Sequence, residues 1–348
     1  MLPMKRFTQS ILLLAAVLMM LPVHGQARSL YVGEAVLIPG EVSDAQALLN
    51  ALDEVLVRLT GMDVDSVTET LDLRVADARA LLQSQQRIRV ELVAEDGSRI
   101  EELRLRAEFD PPGVDALLAR EQLPRLGRER PGILLWAAVD DDQGARLADS
   151  PLFDQALSEL GRRFGLDLIQ PLGDATDMAL VQLSDIRGGF IDSVEASAER
   201  YGAGVVALAD LREDEDGWTG RWLWRIDGLD VGVQVQGATL VELAEPGLRA
   251  LLVSLVDRFA ITTRPDGASV RRVVVDGIVE PVQYAEVLRF FEQLSLVQDF
   301  RVIEARERSV ILELNLSGEG LEDMIRIGRT LAIDGAAPDG SLRLRLAR

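Results

Sequence analysis

The side chains that usually carry out covalent or acid–base chemistry are almost absent from this chain. Its 348 residues include no Cys, one His (His24) and one Lys (Lys5), and both of these lie in the first 27 residues. Beyond residue 27 the chain has no Ser-His-Asp triad, thiol nucleophile, Schiff-base lysine or Walker-type phosphate loop. Zinc sites built from nitrogen and sulfur ligands are ruled out in the same way. What remains is carboxylate chemistry, Ser or Thr without a conventional base, Tyr and Arg. With 57 acidic residues, the sequence nominates no particular carboxylate pair as acid and base, although such a pair could hydrolyse a glycoside. No catalytic, cofactor-binding or metal-ligating residue is therefore assigned.

Four patterns come closest to chemistry. Gly202-Ala203-Gly204-Val205-Val206-Ala207 has the spacing of a dinucleotide fingerprint. That motif must follow a strand and open a helix, whereas this one follows a helical pattern and opens a strand, so it reads as a helix stop. Asp140-Asp141-Asp142 and Glu213-Asp214-Glu215-Asp216 lack calcium-loop spacing and read as solvated turns; Asp63 and Asp65 lack the required glycine. Trp222 and Trp224 alternate with Arg221 and Arg225, which places the indoles on one buried face of a strand rather than on a sugar platform. Ser184-Asp185-Ile186-Arg187-Gly188-Gly189-Phe190 is a turn between helices, with two glycines for unusual backbone angles. It reads either as a tight connection or as a binding loop.

The elements that must position these residues fall into three segments. Before them, Lys5-Arg6, the apolar run Ile11 to Leu21 and the small residues Gly25 and Ala27 form the three parts of an export signal over residues 1–27, with cleavage expected after Ala27. The run is short for a membrane span, and an uncleaved inner-membrane anchor is the alternative. Losing this segment leaves the net charge of −20 two units more negative. Such a surface repels nucleic-acid phosphates and anionic lipid, so no nucleic-acid partner is expected. The expected destination is the periplasm.

Residues 28–122 read as an N-terminal α+β domain. Ser43-Asp44-Ala45-Gln46 is a capping box, Ala45, Leu48, Leu49, Leu52, Val55, Leu56 and Leu59 make one helical face, and Gly61 stops the helix. Residues 123–132 read as a linker, rich in Pro, Gly and charge. Residues 133–260 alternate strands and helices, a central α/β sandwich with a mixed sheet. Residues 261–269 form a second linker. Residues 270–348 run β-α-β-β-α-β, a ferredoxin-like order. The fold class is thus multidomain α+β and α/β.

In their order, several motifs resemble the bacterial domain-of-unknown-function family 2066, a family of exported proteins. They are Val55-Leu56-Val57-Arg58-Leu59-Thr60-Gly61, Arg130-Pro131, Ser150-Pro151-Leu152, Ser184-Asp185 with Gly188-Gly189-Phe190, Arg200-Tyr201-Gly202-Ala203, and Trp218 with Gly220-Arg221-Trp222. Members often carry Trp before the paired glycines, where this chain has Arg187. The family has no established activity, so the resemblance transfers no catalytic role. It marks Asp185, Gly188, Gly189, Phe190, Arg200, Tyr201, Gly202 and Trp222 as candidate interaction or family-pattern positions. The middle segment is also similar to the small α/β domains of envelope assembly proteins, such as the N-terminal domain of TolB and the curli secretion lipoprotein. These likenesses imply a non-enzymatic scaffold or accessory factor that works through contacts with envelope proteins. A carboxylate-dependent hydrolase of an envelope polymer and a small-ligand-binding module are the alternatives.

Overall fold

The structure is a computed structural model that describes residues 30–347, except 63–65, 95, 128–129, 261–268, 295, 307, 317–319, 328–329 and 338–339. The expected export signal, the Asp63/Asp65 pair and nearly all of the second expected linker lie outside these residues.

The first segment is a three-stranded antiparallel sheet covered by one long helix. Strands β1 (Val32–Val36), β2 (Leu82–Val93) and β3 (Arg99–Phe109) are ordered β1-β3-β2. Helix α1 (Asp44–Thr60) starts where the Ser43 side chain accepts from the Gln46 amide at 3.2 Å, and it ends at Gly61, which takes the left-handed conformation with φ 61°. Ala47, Leu48, Ala51, Leu52, Val55, Leu56 and Leu59 are buried along its inner face. At Gly33 the helix and sheet meet backbone to backbone, because a Cβ there would lie 1.9 Å from the Ala51 carbonyl oxygen. Short helices α2 (Val67–Thr70), α3 (Val75–Leu81) and α4 (Pro111–Arg120) complete the segment.

The second segment is a six-stranded mixed sheet around β4 (Gly132–Asp141). On one side of β4, β5 (Gly144–Leu147) pairs antiparallel with its second half and β6 (Asp167–Ile169) pairs parallel with its first half. On the other side lie β7 (Val205–Asp214), parallel to β4, and then the antiparallel β8 (Gly217–Ile226) and β9 (Leu229–Gly237). Helices α6 (Ala175–Leu180), α7 (Leu183–Gly188) and α8 (Ile191–Tyr201) lie between β6 and β7 in the chain. α7 and α8 bury Leu134, Trp136, Val206 and Leu208 on one sheet face. The opposite face packs against α5 (Pro151–Phe164) and α9 (Ala244–Phe259), the latter preceded by a 3₁₀ turn at Val241–Leu243. Trp222 and Trp224 are buried on that face, as their alternation predicts. α9 approaches Trp222 at Gly247, where a Cβ would fall 2.3 Å from the indole.

The first segment and this second face share one continuous hydrophobic cluster, from Tyr31 to Val256. Part of the expected linker joins it: Leu126 is buried, and its amide donates to the Leu59 carbonyl at 2.7 Å. Two of the guanidinium groups at the joint bind backbone carbonyls of both segments. Arg58 donates from Nε to the Arg163 carbonyl (2.9 Å), from Nη1 to the Leu30 and Val32 carbonyls (3.0 and 2.7 Å), and from Nη2 to Glu54 (2.5 Å). Among the described residues Arg130 bonds only carbonyl groups: Gly127 (3.2 Å), Phe164 (2.9 Å), Gly165 (3.0 Å) and Arg58 (2.8 Å). It thereby satisfies terminal carbonyls of α1 and α5, the negative ends of both helices. Burial, with Arg58 nearby, pushes its pKa down to about 9.

The third segment has its own core, from Val273 to Leu344. β10 (Ser269–Asp276), α10 (Pro281–Gln293), β11 (Val297–Arg306), β12 (Ser309–Leu316) and α11 (Leu321–Ile327) follow the expected order. A further strand, β13 (Leu331–Ala336), then precedes β14 (Leu342–Leu346). β13 takes the outer edge, so β14 inserts beside β10 and runs parallel to it, giving the order β11-β12-β10-β14-β13. The expected β-α-β-β-α-β order thus gains a strand after its second helix, beginning at Leu331, which is buried.

Candidate functional site

The chain leaves β4 on one side through β6 and returns on the other side as β7, so the carboxyl ends of β4 and β7 flank a topological switch point. Asp140 and Asp210 stand there. They lie in step with Trp136 and Leu208 on the face that α7 and α8 cover, because side chains two apart on a strand share a face. Arg187, near the end of α7, reaches both: its Nη2 bonds Asp140 Oδ2, and its Nε lies 3.7 Å from Asp210 Oδ1. Arg212 contacts Asp210 at 2.7 Å and Arg221 contacts it at 3.7 Å, while Arg221 also donates to the Arg187 carbonyl.

Three guanidinium groups thus compensate two carboxylates, and Asp210 is only 4% exposed. Burying a carboxylate is tolerable only with such partners. The compensation is nevertheless incomplete in its hydrogen bonding, since Arg187 Nε and Asp210 Oδ1 are buried without a hydrogen-bond partner. Arg212 and Arg221 keep part of their surface in solvent. The group binds α7 to the end of the sheet.

Beside it lies the double-glycine turn. Gly189 caps α7 in the left-handed conformation, with φ 73°. At Gly188 a Cβ would sit 2.2 Å from the Phe190 ring, so the ring rests directly on backbone. Phe190 is 59% exposed all the same, next to the Arg221 and Leu223 side chains that approach Gly189. Asp185 plays a structural part, because its carboxylate accepts from the Gln182 amide at 2.9 Å and closes the start of α7.

The other candidate positions lie elsewhere. Arg200 and Tyr201, at the far end of α8, hold the segment before α6. Arg200 pairs with Asp174 (2.6 Å) and with Asp177; Tyr201 donates to Asp177 at 2.6 Å and accepts from the Leu172 amide at 2.9 Å. The guanidinium beside Asp174 holds that carboxyl far below the usual carboxylate range. Gly202 is the left-handed stop of α8 and leads into β7, as the reversed glycine pattern implies. Trp222 lies on the opposite sheet face, in the core. Sequence reasoning missed Asp140 as anything but a turn residue, and missed Asp210, Arg187, Arg212 and Arg221 as a group. Only the spacing of Asp210 and Arg212 on one strand hinted at a shared face.

Two cavities lie near this region. One, of about 430 Å³, occupies the gap that β5 and β6 leave along β4 and is walled by Leu147, Phe153, Leu157 and Leu172. The other, of about 610 Å³, lies between α8 and the β8–β9 turn and carries Asp192, Glu195, Glu199 and Arg225. Burial pushes the Glu54 carboxyl up, but Glu54 sits in the joint between segments, bonded to Arg58, and lines neither cavity. Among the described residues no cluster of three or more His, Cys, Asp or Glu could hold a metal ion.

A family model described as a domain of unknown function (DUF8605) matches residues 25–127. That match supports an uncharacterised domain over the N-terminal segment. No curated protein matches the chain in sequence. Among solved structures, a competence-damaged protein (CinA) superfamily protein from Escherichia coli is 15% identical, over 42% of this chain and 86% of that one, with a TM-score of 0.24. Homoserine dehydrogenase from S. aureus is 14% identical, over 42% of this chain and 41% of that one, with a TM-score of 0.15. At those scores neither likeness carries an argument about function.

Proposed function

We propose that this chain is an exported, non-catalytic scaffold or accessory protein of the bacterial envelope, and that the turn at Gly188-Gly189-Phe190 is one of its protein-contact points. The observation that carries the reading is Phe190, a large ring fixed on the Gly188 backbone yet more than half exposed. Rigid exposed aromatics lose little entropy on binding and are the usual anchors of protein interfaces. The half-exposed Arg221 guanidinium, which approaches Gly189 of the same turn, suits a carboxylate at the rim of such an interface. The export signal pattern and the likeness to family 2066 supply the envelope setting. No helix among the described residues is long and apolar enough to cross a membrane.

The test is recovery of the protein from chemically crosslinked envelopes, alongside Phe190→Asp and Ile100→Asp. Ile100 is 47% exposed on β3, in a different segment, and serves as the control. One recurring partner is expected with the wild type and Ile100→Asp, and its recovery should fall at least about tenfold with Phe190→Asp. Equal recovery from all three would sink the proposal.

A further inference from the structure

Exposed sheet edges are templates for unwanted pairing, and proteins blunt them with charge, bulges, shortness or cover. Nearly every edge of this molecule is blunted. β2 carries Arg87, Arg89 and Glu91 and a register shift near its start, and the Gln155 side chain bonds both the amide and the carbonyl of Val93 at its end. β11 carries Asp299, Arg301, Glu304 and Arg306 and two register shifts. β13 has a shift at Gly335 beside Asp334. β1, β5 and β6 are five, four and three residues long.

β9 has none of these devices. It runs nine residues, Leu-Asp-Val-Gly-Val-Gln-Val-Gln-Gly, in unbroken register with β8. It contains no Pro, Lys or Arg, and its one charge, Asp230, is paired with Arg225 at 2.6 Å. The turn that joins it to β8, Asp227-Gly228, has positive φ at both residues (52° and 76°), the type I′ geometry that makes Ile226 and Leu229 a hydrogen-bonded pair. Alternation then turns the N–H and C=O groups of Leu229, Val231, Val233 and Val235 toward β8. Those of Asp230, Gly232, Gln234 and Gln236 point outward, along an edge where no strand pairs among the described residues.

We infer that β9 pairs antiparallel with β9 of a second copy of this chain, about a two-fold axis at Val233. In that register the outward-facing residues meet one another: Asp230 opposite Gln236, and Gly232 opposite Gln234. The single charge meets an amide rather than its own copy, although the whole chain carries −20. The apolar row matches as well, with Val231 against Val235 and Val233 against itself. The two ends of β9 are also complementary. At one end Leu229 and Val231 are exposed (66% and 38%); at the other Val235 is buried, with the 3₁₀ turn and exposed Val241 beside it. The two-fold axis brings the bare end of each copy to the covered end of the other. The contact is about 30 Å long, at roughly 3.4 Å per residue.

The test is the solution mass of the purified full chain at about 100 μM in about 0.3 M salt, where screening shortens the range of the net-charge repulsion. A mass twice that of the single chain is expected. Gln234→Pro removes an outward amide without touching the β8 ladder, and Val231→Lys places a charge at the apolar seam; each should give a folded monomer with an unchanged circular dichroism spectrum. Because the chain has no Cys, a single Val233→Cys should form a disulfide dimer under mild oxidation, while Gln236→Cys should react at least about tenfold more slowly. A folded wild-type monomer overturns the inference and leaves β9 as an edge for a strand of another protein. So does a dimer that both edge variants leave intact.

Discussion

Two arginine clusters divide the labour in this molecule. At the joint between the first and second segments, Arg58 is buried, Arg130 is half-buried, and each of their guanidinium nitrogens has a hydrogen-bond acceptor. At the carboxyl ends of β4 and β7, Arg187 and Asp210 each leave a buried polar atom without a hydrogen bond, Arg212 and Arg221 face solvent in part, and the turn that follows Arg187 exposes an aromatic ring, Phe190. The guanidinium nitrogens of the first cluster are fully satisfied by backbone carbonyls and Glu54, which is what architecture requires. The second holds a turn in place while keeping polar capacity and apolar surface at the exterior. Both are rich in arginine, so composition alone does not separate them; hydrogen-bond satisfaction and exposure do.

Variants should separate the clusters by the size of their effect. Arg58→Ala leaves the buried Glu54 carboxylate with Arg162 (3.0 Å) as its remaining guanidinium partner and frees the Leu30, Val32 and Arg163 carbonyls. It should cost about 3–5 kcal/mol in urea unfolding. Arg130→Ala frees four carbonyl groups, and a loss of roughly 3 kcal/mol is expected. Equal and small losses from these two would show that the joint is not the buried staple described above. Asp210→Asn should cost less, about 1–3 kcal/mol, because its guanidinium partners are partly solvated. Phe190→Ala should change stability by less than about 0.5 kcal/mol, as expected for an exposed side chain. A larger loss there would make the ring part of the core rather than a contact.

The joint also makes a prediction about pH. Tyr31 begins the shared cluster and donates to Asp115 at 2.6 Å; burial, then this hydrogen bond, push its pKa up to about 12. A group whose pKa is higher folded than unfolded adds stability that is complete below the unfolded value, roughly 10, and is lost as pH rises toward the folded one. Stability should therefore fall between about pH 10 and 12, and Tyr31→Phe should flatten that part of the profile. Chemical denaturation at stepped pH measures both.

Much of the fold is legible from local pattern. The Ser43 cap, the apolar face of α1 and Gly61 delimit a helix from short-range chemistry alone, and the alternation at Trp222 and Trp224 gives their burial. What local pattern does not carry is the meeting of distant residues. Arg58 reaches Arg163 across 105 positions, and Arg187 reaches Asp140 across 47. For that reason neither cluster is visible in the sequence, and residues 123–132 read as a linker although Leu126 and Arg130 are enclosed between the first two segments. β13 escapes notice because its alternation is short and ends in glycine. Within the candidate site, the glycines and Phe190 announce a turn, but only the packing of the ring on Gly188 distinguishes a seated aromatic from a loose one.

The most direct test of the account is a photo-crosslinking amino acid placed at position 190 in growing cells, with position 100 as the control. A single recurrent crosslinked protein from position 190, absent from position 100, is the predicted result. Crosslinks that are absent at both positions, or identical from the two, would contradict the claim that the turn at Phe190 is where this protein meets a partner.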